Sequence, residues 1–349
     1  MYTQSYSLAE LGFSAHFSTQ LSLDEFDTLH PCRLFGLSRD RLLACGESGL
    51  RPLIPVPPAN TGDFAVGDWV LADATGRAVR RLTPINTLSR RAAGTHAATQ
   101  HIAANVDTLF VVSSCNADFS VARLERYLAL ARQADVNPVV VLTKADLCAT
   151  AADFAAQSEP LMPQLTVLTL DATAPQALNT LQPWCGTGQT IALVGSSGVG
   201  KTTLMNALTG AAGATQAARD DDDKGRHTTT AREMRRTVSG AWLIDTPGMR
   251  ALRLHDSRDG LAAVFADIHA LAAACRFSDC AHDTEPGCAV QAAIAAGELA
   301  EERLQRWRKL QREERHNSET LAESRARDRQ FGKYVQRVQA EHNARKGRS

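Results

Sequence analysis

The chain has 349 residues, 44% of them hydrophobic and 22% charged, and its 38 Lys and Arg residues balance 38 Asp and Glu residues. This composition excludes a disordered or fibrous protein, and the length predicts two or three domains of about 150 residues each. Neither an export signal in residues 1–11 nor an apolar run of about 18 residues occurs, so we expect a cytoplasmic protein that does not enter a membrane.

Residues 31–95 contain short apolar stretches separated by glycines, and residues 1–30 precede them as an N-terminal extension. Apolar stretches bounded by turn residues predict a small all-β domain. The predicted strands occupy residues 33–37, 41–45, 53–56, 68–72 and 78–82. Strands of this number and length favour a small barrel, a fold that often binds oligonucleotides. The alternative is a structural cap on the following domain.

Residues 96–252 alternate between predicted strands and helices, which indicates a mostly parallel sheet with helices on both faces. The strands are predicted at residues 107–113, 138–142, 166–170, 190–194, 234–238 and 241–244, and the helices at 121–133 and 201–208. Residues 210–226 show no periodic pattern, and loops of that length are usually functional or disordered. We expect a switch segment there, and interpret its acidic run at residues 220–223 as solvated.

A four-residue motif that reads guanine, Thr143-Lys144-Ala145-Asp146, follows the second of these strands. The Asp146 carboxylate can accept hydrogen bonds from the ring N–H and amino N–H of guanine, whereas adenine offers no such pair of donors. We expect Lys144 to lie along the base. Thr143 stands where many GTPases have Asn, and its hydroxyl makes fewer hydrogen bonds than an amide.

A phosphate-binding loop lies about fifty residues further on, between a predicted strand and a predicted helix. Its glycines let backbone N–H groups approach phosphates, while Lys201 offers charge to the β- and γ-phosphates and Thr202 offers a hydroxyl to Mg²⁺. The nucleotide-binding residues predicted here are Gly195, Ser196, Ser197, Gly198, Val199, Gly200, Lys201, Thr202 and Thr203.

A third motif, Asp245-Thr246-Pro247-Gly248, also follows a predicted strand. We expect Asp245 to hold Mg²⁺ through water and the Gly248 amide to contact the γ-phosphate. The order base, phosphate, switch is the usual GTPase order cut open at another point, which domains tolerate when their termini lie close together. The sequence therefore predicts a circularly permuted P-loop GTPase domain.

The residue after this motif is Met249, where GTPases of the Ras type have the glutamine that orients the attacking water. A thioether cannot orient water, so another group must do so. The candidates are the segment 225–230 or a surface supplied by a partner. The predicted catalytic residues are His227, Thr229 and Lys201, with Thr229 completing the Mg²⁺ shell.

The C-terminal region, residues 253–349, contains a cluster of possible metal ligands. Its members are Cys275, Cys280, His282 and Cys288. Three thiolates and one imidazole suit closed tetrahedral Zn²⁺, so we predict one structural zinc in a helical domain. From Arg303 onward the chain has 14 Lys and Arg against 6 Asp and Glu. This basic tail favours an anionic partner, and nucleic acid more than membrane.

Together these motifs resemble the RsgA family, bacterial GTPases that depend on the small ribosomal subunit. The stretches that carry the resemblance are residues 103–107, 124–128, 143–146, 195–203, 225–230, 245–248 and 275–290. The sequence differs from the family pattern in its first thirty residues and in residues 210–224. Members of the family also have a hydrophobic residue at the position of Met249.

The resemblance implies an OB-type barrel, a permuted GTPase domain and a zinc domain that together bind the 30S subunit and its 16S rRNA late in maturation. It also implies that the subunit stimulates hydrolysis of GTP to GDP, and that His227 is the family's switch histidine. We expect a monomer. The alternative function is a GTP-gated RNA-binding protein with incidental hydrolysis, acting on another RNA such as the large subunit or tRNA.

Overall fold

A single hydrogen-bonded sheet connects the N-terminal barrel to the nucleotide-binding domain in this computed structural model. The structure describes residues 5–91, 99–211, 233–245, 257–315 and 317–318. Within them, the main sheet has 11 strands in the order β10-β9-β8-β11-β13-β12-β1-β2-β3-β5-β4, with the bounds given below. No helix in this part of the chain is both long and apolar enough to cross a bilayer.

The predicted barrel is confirmed, with five strands that close on themselves. The strands are β1 (His30–Leu37), β2 (Leu42–Gly46), β3 (Gly49–Pro55), β4 (Trp69–Ala72) and β5 (Arg77–Arg81). Antiparallel pairing joins β1 to β2, β2 to β3 and β5 to β4, β3 pairs with β5 in parallel, and β4 pairs with β1 to complete the closure. The interior is filled by alternate apolar side chains such as Leu34, Leu42 and Leu53.

A hairpin that we did not predict follows the barrel, formed by β6 (Thr87–Arg91) and β7 (Thr99–Ala104). The expected boundary between residues 95 and 96 falls between its two strands. The Ala104 N–H donates to the Val66 carbonyl at 2.9 Å, so the hairpin is attached to the barrel.

The nucleotide-binding domain has the predicted parallel sheet with helices on both sides. Its strands are β8 (Thr108–Ser114), β9 (Asn137–Thr143), β10 (Thr166–Thr169), β11 (Thr190–Val194), β12 (Glu233–Arg236) and β13 (Trp242–Asp245). Its helices are α3 (Val121–Gln133), α4 (Ala151–Ser158), α5 (Gln176–Leu181) and α6 (Lys201–Thr209). Only β12 runs antiparallel within this part of the sheet. The central strands are buried on both faces, which explains their continuous apolar runs.

The N-terminal segment is packed against both domains. It contains the short helices α1 (Ala15–Ser18) and α2 (Leu23–Thr28). Leu11 and Phe17 are buried, and the Phe17 ring lies 5.8 Å from that of Trp69 in the barrel. The indole N–H of Trp242, in the nucleotide-binding domain, donates to the Glu10 carbonyl at 2.7 Å. The segment therefore bridges the two domains.

The C-terminal helices pack on α3. They are α7 (Arg258–Val264), α8 (Ala266–Ala272), α9 (Ala289–Ala295) and α10 (residues 301–315). Gly260 lets α7 approach closely, because a Cβ there would lie 2.1 Å from the Ala129 carbonyl oxygen. The apolar face of α10, formed by Leu304, Trp307 and Leu310, is buried.

Arginines at the start of α10 are bound within the protein, although the sequence grouped them with a basic tail that favours an anionic partner. Arg303 Nη1 and Arg306 Nε donate to the buried Glu125 carboxylate at 3.1 and 2.9 Å. Burial raises the pKa of Glu125, and the two guanidinium groups oppose that rise. Arg308 forms a 2.5 Å salt bridge with Asp283. These three cations stabilise the helical domain instead of facing a partner.

Candidate nucleotide site and metal centre

The phosphate-binding loop connects the end of β11 to the first residue of α6. Its first glycine, Gly195, has φ near 153° and lies against β8, where a Cβ would be 2.2 Å from the Val112 carbonyl oxygen. Only glycine fits this approach. The loop then leads into the N-terminus of α6, whose N–H groups and positive dipole end suit a phosphate.

Lys201, at the start of α6, folds back over the loop. Its ammonium donates to the Gly195 carbonyl at 2.9 Å and also to the Ser196 carbonyl. The side chain therefore already lies across the concave side of the loop, from which a P-loop lysine reaches β- and γ-phosphates. The next residue, Thr202, is exposed in the first turn of α6.

The guanine-reading motif is joined to the phosphate loop by one hydroxyl. Thr143 Oγ1 lies 2.7 Å from the Val199 carbonyl oxygen and 3.1 Å from that of Ser113, and the residue is fully buried. Because a hydroxyl has one hydrogen to donate, these two carbonyls share it. Thr143 thus fixes the spacing between the loop that would read the base and the loop that would hold the phosphates.

The rest of that motif turns outward. Lys144 adopts a left-handed conformation with φ near 59°, and a 3₁₀ turn follows at Ala145–Leu147. Asp146 lies in this turn and is exposed, where its carboxylate is accessible to a base.

A turn that follows β10, and that no sequence motif predicted, lies beside this one. The Ala145 N–H faces the Leu170 carbonyl at 3.5 Å, so the two loops lie side by side. Asp171 accepts hydrogen bonds from the Thr173 hydroxyl at 2.6 Å and its N–H at 2.8 Å, which lower the pKa of Asp171. The position of Asp171 directly after a predicted strand could have indicated this turn, because ligands bind at the carboxyl ends of adjacent parallel strands.

The predicted magnesium ligands lie on adjacent elements. Asp245 ends β13, which pairs in parallel with β11, the strand that leads to the phosphate loop and Thr202. Burial raises the pKa of Asp245. A carboxylate and a hydroxyl are oxygen donors that fit Mg²⁺. The predicted Gly248, His227 and Thr229, together with Met249, lie outside the described residues.

The predicted zinc ligands converge on one point. The ligand atoms of Cys275, Cys280, His282 and Cys288 all lie within 4.8 Å of one another. Cys275 Sγ is 3.9 Å from Cys288 Sγ, and each lies 3.6 Å from His282 Nδ1. Ligands at 2.0–2.3 Å from a tetrahedral ion would be roughly 3.5–3.8 Å apart. The cluster therefore fits Zn²⁺ with little adjustment.

The surroundings of His282 hold it in place. Its carbonyl accepts hydrogen bonds from Gln291 Nε2 at 2.5 Å and Arg308 Nη2 at 2.7 Å, and the Trp307 ring lies 5.7 Å away. Burial lowers the pKa of His282. This shift favours the neutral imidazole that a metal ligand requires.

Comparison with known proteins agrees with the nucleotide-binding motifs of the site. A family model described as RsgA GTPase matches residues 83–255. A Mesorhizobium japonicum protein named small ribosomal subunit biogenesis GTPase RsgA is 51% identical over 89% of this chain and 91% of its own. The chain belongs to the RsgA GTPase family. A second member, from Vibrio parahaemolyticus and named small ribosomal subunit biogenesis GTPase RsgA 2, is 46% identical over 97% of this chain and 94% of its own.

Solved structures show the same fold. YjeQ from Thermotoga maritima superposes with a TM-score of 0.59 at 23% identity, covering 81% of this chain and 97% of its own. YloQ, titled a circularly permuted GTPase, gives 0.56 at 23% identity over 80% of this chain and 93% of its own. The permuted order inferred from the motifs is thus confirmed as the fold of this RsgA-family chain.

Mutation of a cluster cysteine should remove the metal. We expect about one Zn²⁺ per chain in the purified protein and almost none in Cys280→Ser, because the binding energy of a structural zinc is folding energy. Metal analysis by mass spectrometry measures this. Cys148→Ser, outside the cluster, is the control and should keep its zinc. Wild-type protein purified without chelators that contains less than about half an equivalent would contradict the assignment.

Replacement of the exposed Asp146 should change base preference. Asp146→Asn should lose at least about tenfold in affinity for GDP and gain affinity for xanthosine diphosphate, since the amide can donate to the extra carbonyl of xanthine. Titration of fluorescent nucleotides measures both affinities. Asp153→Asn, an exposed carboxylate on α4, is the control. Equal affinity of the wild type for GDP and ADP would exclude base reading by Asp146.

Proposed function

We propose that this protein is a GTPase of small-ribosomal-subunit maturation, which hydrolyses GTP to GDP and phosphate with stimulation by the 30S subunit. The observation that carries the proposal is the Thr143 hydroxyl, which joins the guanine-reading motif to the phosphate loop in the permuted order. The names of the relatives from Mesorhizobium japonicum and Vibrio parahaemolyticus supply the ribosomal part of the proposal.

The phosphate loop would hold the nucleotide through the backbone of residues 195–200 and the charge of Lys201, with Thr203 behind them in α6. Thr202 and Asp245 would hold Mg²⁺, which when bound neutralises charge between the β- and γ-phosphates. Asp146 would select guanine, Lys144 would lie along the base, and Ala145 would continue the loop. Gly248 would contact the γ-phosphate.

Placement of the attacking water is the step that Met249 cannot perform. We assign it to His227, with Thr229 completing the magnesium shell, once the subunit orders the switch. When catalysis depends on placement, ordering alone supplies large rate factors. Slow turnover of the free protein follows from this assignment.

The partner would be the 30S subunit through its 16S rRNA, and the zinc would be structural, holding the loop between α8 and α9. Because Arg303, Arg306 and Arg308 are paired with carboxylates of the protein itself, contact with rRNA falls to the remaining cations of the tail. We further propose a cytoplasmic monomer that does not bind membranes.

Subunit specificity tests the proposal. Release of phosphate from GTP should rise at least about tenfold with purified 30S subunits and not with 50S subunits, because ordering of the switch requires the cognate surface. Lys201→Ala should abolish the stimulated release, which ties the activity to this site. Equal stimulation by 50S subunits, or fast hydrolysis by the free protein, would favour the GTP-gated RNA-binding alternative.

A further inference from the structure

A second cation reaches the phosphate loop from outside the predicted motifs. Arg123 lies in the first turn of α3, and its side chain is exposed. Its Nη1 donates to Ser196 Oγ at 3.0 Å and to the Asp118 carbonyl at 3.3 Å. Ser196 is the second residue of the phosphate loop. No site residue predicted from the sequence lies on this helix.

The contact places Arg123 close to where the γ-phosphate would lie. The Ser196 carbonyl accepts from the Lys201 ammonium, the group that a P-loop uses to bind β- and γ-phosphates. Two acceptors of one ammonium, each about 3 Å from it, are at most roughly 6 Å apart. The guanidinium of Arg123, which already donates to the Ser196 side chain, can therefore reach a γ-phosphate oxygen by a change of rotamer.

The oxygens that accept these two hydrogen bonds from Arg123 carry no formal charge. Within the part of the chain that the structure describes, Arg123 forms no salt bridge, and its acceptors are a hydroxyl and a carbonyl. One turn further along α3, Arg126 is paired with Glu313. A cation that meets only neutral oxygens gains most from a charged acceptor, since charge-assisted hydrogen bonds are about twice as strong as neutral ones.

The helix that carries Arg123 is held rigidly. Leu124 and Leu128 are buried, and Glu125 is bonded to two arginines of α10. A catalytic group is placed most accurately on a packed element of this kind. Arg123 therefore approaches the loop from a fixed base, with only its own side chain left to move.

We propose that Arg123 is an additional catalytic residue, whose guanidinium donates to a γ-phosphate oxygen of bound GTP and stabilises the charge of the transition state. This inference rests on the proposed GTPase function. Water forms a bond to the γ-phosphorus while the bond from that phosphorus to the β–γ bridging oxygen breaks, so GDP leaves with the bonding electron pair. The protons of the water go to the released inorganic phosphate and to solvent. Arginine supplies charge and donors throughout and transfers no proton.

Three substitutions distinguish two roles of Arg123, namely stabilising charge on the γ-phosphate and anchoring the phosphate loop through Ser196. Arg123→Gln can keep a hydrogen bond to Ser196 without the charge, Arg123→Lys keeps the charge without the fork of donors, and Arg123→Ala keeps neither. Loss of one such donor costs about 10²–10³ in rate. We expect the single-turnover rate of hydrolysis to fall about 10²-fold in Arg123→Gln and Arg123→Ala and only about tenfold in Arg123→Lys. Affinity for GDP should stay within about twofold in all three, because GDP lacks the γ-phosphate.

The control is Arg132→Ala, an exposed arginine in the last turn of the same helix, which should hydrolyse GTP at the wild-type rate. Wild-type rates in Arg123→Gln or Arg123→Ala would overturn the proposal. A parallel loss of GDP affinity and rate would overturn it too, since that result is expected if Arg123 only anchors the loop. The free protein and the 30S-bound protein are both measured. A wild type that 30S does not stimulate refutes the ribosomal function, whereas the comparison of Arg123 variants is still decided by the rates of the free protein.

Discussion

The buried guanidinium of Arg33 is the constraint on which the arrangement of this molecule depends. It is fully buried, and it donates to the Leu11 carbonyl at 2.5 Å, the Gly67 carbonyl at 3.3 Å and the Thr190 hydroxyl at 2.7 Å. These acceptors belong to the N-terminal segment, the barrel and the first residue of β11. Burial lowers the pKa of Arg33 to about 10, opposed by nearby carboxylates, so the group is charged at neutral pH. A buried charge needs all its partners, which forces the three segments into one geometry.

A second set of arginines joins the C-terminal helices to α3 through a buried carboxylate, that of Glu125. Arg303 and Arg306 bind Glu125 on α3, and Arg303 also binds Asp267 on α8 at 2.5 Å. The helix that receives these bonds reaches the phosphate loop through Arg123. The barrel and the C-terminal helices α8 and α10 are therefore each linked to the phosphate loop by packed elements. Such continuous packing is needed if contacts made by the barrel or by the C-terminal helices are to influence the nucleotide site.

The sequence predicted the binding motifs better than the contacts between distant segments of the chain. Phosphate, guanine and zinc motifs are local in the chain, because a few residues at fixed spacing carry each function, and the structure brings each zinc ligand to its predicted cluster. The hairpin β6–β7 was missed because Thr87–Arg91 is largely polar and shows no strand-like alternation. The joining of the barrel to the nucleotide sheet was missed too, since among the residues that the structure describes it rests on the pairing of Gly36 with Glu233, which are far apart in the sequence. The sequence grouped Arg303 with the basic tail because its partners, Glu125 and Asp267, are distant in the chain.

Hydrogen–deuterium exchange of Arg33→Met tests the central claim most directly. Methionine fills much of the volume but leaves the carbonyl and hydroxyl acceptors unpaired, at a cost of about 1–3 kcal/mol for each buried group. We expect faster exchange in β1, in the segment around Leu11 and at the start of β11 together, whereas Arg41→Met, at an exposed position, should exchange like wild type. Unchanged protection, or a loss confined to the barrel, would contradict the claim that one buried charge fixes all three segments.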